Sequence, residues 1–316
     1  GILIKGSNYL EKFNKANIFV FDKTGTLTKG NFAVAKIAPA GQEEEVLRLA
    51  AVAEQNSGHP IAKSVVARRG KDIEGGYTLT NIAGKGVRAE KGSDVILCGN
   101  EKLMEENGIS FLAPEGVGTV VYVARNGQFA GSLLIADEVK PEAAEVIGGL
   151  NGIGCRTVML TGDNEAIASD VAGRLGLSAY KASLLPQDKV GEVESLLRAK
   201  KPQDVLCFVG DGINDAPVLM RSDIGIAMGG VGSDAAIEAS DIVLMKDDLR
   251  GLPLAKRIAK KTMRIVFENI VFSIAVKAAI LILSALGFAN MWVAVFGDVG
   301  VAVLAILNAM RVNTKY

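Results

Sequence analysis

The sequence predicts an α/β chain in which a parallel sheet is interrupted by an inserted α+β module and followed by two membrane-spanning helices. Three observations support this. Several short apolar runs stop at polar or glycine-rich turns, and helical patterns follow them. Between residues 32 and 131 the pattern changes to amphipathic helices and glycine-punctuated strands. Residues 265–310 are almost continuously apolar.

The strand candidates are residues 18–21, 157–160, 205–209, 224–228 and 242–244, runs without the in-out alternation of a half-exposed strand. Such runs suit parallel strands covered on both faces. Open parallel sheets gather chemistry at the carboxyl ends of their strands, where Asp22, Asp163 and Asp211 stand. In the inserted module, helices are expected over 43–55 and 60–69, the second opened by Pro60 at a first-turn position. A strand is expected at 120–123, and the chain returns to the first module near 133–137. The expected division is a linker over 1–15, one module over 16–31 and 132–250, a second over 32–131, and a linker helix over 251–263.

The apolar stretch divides into helices near 264–287 and 291–312. At ~1.5 Å per residue, about 20 residues match a hydrocarbon core of ~30 Å. Lys256, Arg257, Lys260, Lys261 and Arg264 precede the pair, Arg311 and Lys315 follow it, and the connecting loop is uncharged. Both ends are therefore expected on the cytoplasmic side.

Composition excludes several classes. With 49% hydrophobic and 22% charged residues, the 316-residue chain is not disordered. Lys plus Arg equals Asp plus Glu, at 35 each, so no electrostatic surplus calls for nucleic acid. Aromatic residues, at 5%, are too few for a base-stacking surface. Three widely spaced cysteines exclude a disulfide framework and a cysteine-built zinc site, and fit a reducing compartment. With no basic-then-apolar leader and an abrupt start, the chain is expected to be the interior of a longer protein.

The most informative stretch is Asp22-Lys23-Thr24-Gly25-Thr26-Leu27-Thr28. A carboxylate at a strand end, followed by a turn rich in hydroxyls and N–H groups, suits attack on a phosphoryl group. Partners exist elsewhere. Thr161-Gly162-Asp163 offers a hydroxyl and an N–H to phosphate, and Lys189 offers a positive charge. Gly210-Asp211-Gly212-Ile213-Asn214-Asp215 offers carboxylates for Mg²⁺, an oxygen-seeking ion. Position 24 adds a separate argument. A phosphatase built on this nucleophile usually has a second Asp two residues on, as proton shuttle, whereas this chain has Thr24.

These motifs resemble those of the P-type ATPases, and within them the heavy-metal (type IB) pumps. The resemblance implies a Rossmann-like, haloacid-dehalogenase-type phosphorylation domain carrying an inserted nucleotide-binding domain. It implies that Asp22 takes the γ-phosphate of ATP, with Lys189, Thr161 and Asn214 around it. Mg²⁺ would be held by Asp22, the Thr24 carbonyl, Asp211 and Asp215, with Asp163 beside the nucleotide phosphates. In the inserted module, Ser57-Gly58-His59-Pro60 read alone makes His59 a cap or packing residue. The resemblance instead assigns Glu54, His59, Gly84, Gly86, Gly99 and Asn100 to an adenosine site.

Lys277 and Asp298 stand at nearly equal distances from the loop between the apolar helices, about 15 Å deep by the helical rise. Ionisable groups at that depth are functional candidates. An intramembrane Lys with Asp298-Val299-Gly300 resembles the zinc/cadmium/lead branch, which makes Asp298 the group for the transported divalent ion and Lys277 its counter-ion. The Cys-Pro-Cys helix, the actuator domain and the earlier membrane helices of such a pump are not in this sequence. The expected protein is thus the catalytic portion of a pump integral to the cell membrane, its soluble domains cytoplasmic. The competing expectations are a copper-branch pump, a membrane-tethered phosphatase with the same core, and a nucleotide sensor that transfers nothing.

Overall fold

The structure, a computed structural model, describes residues 1–70, 73–211, 215–229, 234–288 and 290–313. Its strands are β1 (Ile2–Ile4), β2 (Ala16–Asp22), β3 (Thr28–Ala38), β4 (Thr78–Ile82), β5 (Gly86–Lys91), β6 (Asp94–Gly99), β7 (Thr119–Arg125), β8 (Gln128–Val139), β9 (Arg156–Leu160), β10 (Ala179–Lys181), β11 (Val205–Gly210), β12 (Ile224–Met228) and β13 (Ile242–Leu244). Its helices are α1 (Ser7–Asn14), α2 (Glu43–Glu54), α3 (Pro60–Arg69), α4 (Glu101–Glu106), α5 (Ala143–Gly152), α6 (Glu165–Leu175), α7 (Pro186–Ala199), α8 (Ala216–Arg221), α9 (Asp234–Ala239), α10 (Gly251–Ala285), α11 (Met291–Val295) and α12 (Val301–Ala309).

The strands form two sheets, one in the order β1-β13-β12-β11-β2-β9-β10, the other β3-β8-β7-β6-β5-β4. The chain divides into two compact units, Gly1–Val20 with Glu145–Thr157 and Val190–Tyr316, and Phe21–Ala144 with Val158–Lys189.

In the first unit, β11, β12 and β13 run parallel, and β1 joins antiparallel at the edge. Phe19 and Val20 of β2 and Leu206 to Val209 of β11 are fully buried. Burial on both faces explains why these strands read as unbroken apolar runs. α10 is one continuous helix of 35 residues, so the expected linker helix and first membrane helix are a single element. Leu252, Ala255 and Ala259 bury one face of its first part, whereas Phe267, Ile274 and Leu281 beyond it are exposed. The second apolar segment is α11, a widened turn over Phe296–Gly300, and α12. Both segments are long and apolar enough to cross a membrane.

In the second unit, the six-stranded sheet is antiparallel throughout. α2 and α3 cover one face, where Val46, Leu49, Val65, Ile96 and Leu133 form the core. Leu103 and Met104 of α4 pack with Leu97 and Tyr122 in a smaller cluster. The expected borders of the inserted module, at 31/32 and 131/132, fall inside β3 and β8, which pair from Thr28↔Val139 to Ala38↔Ser132.

Candidate active site

β2 ends at Asp22 in extended conformation, with φ −68° and ψ 154°, and the chain then closes a wide turn over Lys23–Leu27. Gly25 makes that turn possible, because its φ of 74° is costly for any residue with a Cβ. Lys140 braces the turn from below, donating from Nζ to the Gly25 carbonyl at 3.2 Å and from its N–H to Leu27 at 2.9 Å. Asp22 is thereby held almost out of water, and Lys189 Nζ from α7 lies 2.6 Å from its Oδ1. The two side chains are 8% and 13% exposed. Asp188 fixes the start of α7, its Oδ2 accepting the Leu185 N–H at 3.0 Å.

Thr161, 2% exposed, follows β9. Its hydroxyl accepts the Asp163 N–H at 3.1 Å and donates to Asp163 Oδ2 at 3.2 Å. Asp163 also pairs with Lys23 at 2.7 Å, and Lys23 with Asp137 at 3.3 Å. Thr28 Oγ1 donates to that same Asp137 carboxylate. The structure thus gives Asp163 a protein partner of its own. Thr26 Oγ1 is buried and has no hydrogen-bond partner among the described residues. An orphaned hydroxyl in the turn after Asp22 leaves a donor for a ligand oxygen.

β11 lies next to β2 in the sheet and ends one residue before Asp211. Asp215 is 2% exposed at the start of α8. A Cβ at Gly210 would stand 2.8 Å from Asp215 Oδ2, so glycine is what leaves room for that carboxylate. Asp211 and Asp215, in the first unit, each offer one oxygen, and the two lie within 4.8 Å of each other. An all-carboxylate set suits a hard cation such as Mg²⁺. Thr24 stands in the same turn with its side chain exposed. Asn214 lies outside the described residues.

The adenosine-site candidates converge. Glu54, His59, Gly84, Gly86, Gly99 and Asn100 all line one cavity of about 350 Å³. His59 caps α3, its Nδ1 accepting the Ile61 N–H at 3.3 Å, so the neutral ring carries its proton on Nε2. Asn100 caps α4 and donates to the Gly84 carbonyl at 2.9 Å, tying the β4–β5 turn to the β6 end. Gly86 and Gly99 serve the sheet first, because a Cβ at Gly86 would stand 2.2 Å from the Cys98 carbonyl oxygen and one at Gly99 2.1 Å from that of Lys85. Gly84, at φ 71°, faces open space. Glu54 is 8% exposed, and burial pushes its carboxyl above the ordinary value, opposed by hydrogen bonds from Cys98 and Ser57 and by His59.

The two apolar segments also meet as expected. Lys277 Nζ lies 3.2 Å from Asp298 Oδ1, and Asp298 sits in the widened turn between α11 and α12. A Cβ at Gly297 would stand 2.2 Å from Ile280 Cδ1, so that side chain would have to turn aside.

The family model for haloacid dehalogenase-like hydrolases matches residues 16–223. The chain belongs to that family. Within these hydrolases it is 51% identical, over 99% of its length, to the cadmium, zinc and cobalt-transporting ATPase of Bacillus subtilis. Identity falls to 39% with a probable copper-exporting P-type ATPase V of Mycobacterium tuberculosis. The crystal structure of a zinc-transporting PIB-type ATPase in the E2.Pi state matches with a TM-score of 0.88 at 36% identity, covering 99% of this chain and 52% of that one. The chain spans 45% of the Bacillus relative and 42% of the Mycobacterium one. The resemblance to heavy-metal P-type ATPases therefore holds over nearly the whole chain.

For a hydrolase of this family, sequence reasoning missed Lys23, Asp137 and Lys140, which organise the turn after Asp22. One signal was available. Asp137 and Lys140 are charges placed just past the apolar run 133–136, the same strand-end position that singled out Asp22.

Proposed function

We propose that this chain is the catalytic portion of an ATP-driven exporter of a divalent heavy-metal cation, of the zinc/cadmium/lead kind, working through an aspartyl phosphate. The observation that carries the reading is the environment of Asp22, a nearly buried carboxylate with Lys189 at 2.6 Å and, in its own turn, a Thr26 hydroxyl with no partner among the described residues. A carboxylate oxygen of Asp22 attacks the γ-phosphorus of ATP, the bond to the bridging oxygen breaks, and ADP leaves with the electron pair. Lys189 offsets charge on Asp22 and the incoming phosphate, while Thr161, and by the family resemblance Asn214, would serve its oxygens. The Asp22, Asp211 and Asp215 carboxylates with the Thr24 carbonyl would hold Mg²⁺, which when bound neutralises phosphate charge. Glu54, His59 with its Nε2–H, Gly84 and Asn100 would receive the adenosine end, and Asp163 would stand beside the phosphates.

Thr24 argues against rapid hydrolysis by the chain itself, since no carboxylic acid occupies the proton-shuttle position. In the membrane part, Asp298 would meet the transported ion and Lys277 would replace it after release. The three highest identities among these relatives, 51%, 47% and 40%, are to proteins named for transport of zinc or of cadmium, zinc and cobalt. They stand ahead of 39% for the copper exporter, which supports that cargo over copper.

The test is labelling with γ-³²P ATP and Mg²⁺, with Asp22→Asn alongside. Acid-stable, hydroxylamine-sensitive label that falls at least about 100-fold in Asp22→Asn is expected. Rapid release of phosphate without label at Asp22 would favour the phosphatase reading instead.

A further inference from the structure

Lys256 was counted with the basic flank of the membrane helices, but the structure separates it from that flank. Arg257, Lys260 and Arg264 are exposed, whereas Lys256 is half-buried on the face of α10 that also buries Leu252, Ala255 and Ala259. Its Nζ donates to three backbone carbonyls, Phe13 at 3.3 Å, Asn14 at 3.1 Å, and Ala16. It also lies 5.9 Å from the centre of the Phe13 ring. Phe13 and Asn14 are the last residues of α1, whose final carbonyls lack intrahelical partners and carry the negative end of the helix dipole. Ala16 is the first residue of β2.

From these contacts we infer that Lys256 is a positioning residue that couples the membrane helix to the phosphorylation strand. The inference rests on the pump reading above. Only two rigid elements separate the intramembrane Lys277 from Asp22. α10 runs unbroken from Lys256 to Lys277, about 32 Å at ~1.5 Å per residue. β2 runs from Ala16 to Asp22, about 20 Å at ~3.3 Å per residue. They meet at the Lys256 ammonium. The start of β2 is further fixed by Asn17, which donates to Asp204 at 2.7 Å and accepts the Val205 N–H at 3.1 Å. Displacement of α10 would therefore pull on the carbonyls at the head of the strand that carries the nucleophile.

Cohesion alone does not call for a lysine at this position. A Met or Leu could cover Phe13 without the desolvation of an amine, and a buried charge is weak evidence for stability. What three charge-assisted hydrogen bonds add is a direction and a register that apolar packing lacks.

The experiment uses the full-length protein in native membranes. Phosphoenzyme is measured with and without Zn²⁺, and nucleotide affinity in parallel, for wild type, Lys256→Met, Lys256→Gln and Lys256→Arg. The ratio of phosphoenzyme with metal to that without is expected to fall at least about fivefold in the two neutral variants, the lower bound of ordinary coupling between sites. Nucleotide affinity stays unchanged. Lys256→Arg, which keeps the charge and the donors, retains more than half of the ratio. The Gln variant, shorter and still a donor, carries the test if the Met variant does not accumulate. A merely structural role would lower both phosphoenzyme levels by one factor and leave the ratio at its wild-type value, and that result overturns the inference. If wild type labels at Asp22 without any response to metal, the pump reading fails first and the coupling role falls with it.

Discussion

Two lysine–aspartate pairs in this chain share the same chemistry and differ in their surroundings. Lys189 and Asp22 are 2.6 Å apart, with side chains 13% and 8% exposed. Lys277 and Asp298 are 3.2 Å apart, with side chains 61% and 77% exposed. The first pair is enclosed by the chain's own turns. The second lies on the surface of two helices that give it a partner but no cover. A charge pair at mid-bilayer depth is stable only facing protein or a polar path. The chain therefore encloses the first pair and leaves the second without cover, and it spans about half the length of its relatives.

Removing a partner separates the two pairs most sharply. Lys189→Ala removes the ammonium 2.6 Å from the buried Asp22 carboxylate, so stability should fall by about 3 kcal/mol or more, as for one-sided loss of a buried pair. Label at Asp22 should fall about 100-fold or more with the loss of its main charge stabiliser. Thermal melts and phosphoenzyme assays check both, and an unchanged melting temperature would mean the pair is not the enclosed one described above. Asp298→Ala should do the reverse. Melting of the soluble part stays at the wild-type value, while Zn²⁺-stimulated ATPase activity of the full-length protein falls at least about tenfold, the lower end of what supporting residues cost a metal site. If zinc stimulation survives unchanged, the cargo assignment is wrong.

The smallest effect concerns Glu54, buried without a lysine. Its carboxyl is raised above the ordinary 4.5, so the folded state holds the proton more tightly than the unfolded chain. Ionisation then works against folding, and the penalty grows as pH rises from the unfolded value through the folded one. Glu54→Gln removes it. The variant should melt with wild type below pH 4.5 and about 2–4 °C above it at neutral pH. A difference independent of pH would show that burial does not act on that carboxyl.

How much could be read from the residue order depended on whether the chemistry was local. Asp22 was legible as a candidate because strand, carboxylate and turn are consecutive, and Thr161, Lys189 and Asp211 because each follows its own strand or opens its own helix. The six adenosine candidates were legible as a set and do line one cavity. The reason for two of them was not, because Gly86 and Gly99 are required by each other's backbones across β5 and β6. Lys23 passed unnoticed inside the most informative motif, since its partners are Asp137 and Asp163, more than a hundred residues away. Lys256 looked like one more solvated charge until α1 was packed against it.

By itself, the order of residues determined the α/β class, the strand-end position of Asp22, the membrane-length helices and the lysine–aspartate pairing between them. These follow from hydrophobic period, strand-end position and helical rise, which act over neighbouring residues. Only the tertiary structure decided which charges are enclosed, which glycines are steric and where α10 grips the sheet. Those depend on what long-range packing brings within 4 Å, and desolvation sets their strength only once neighbours have displaced the water.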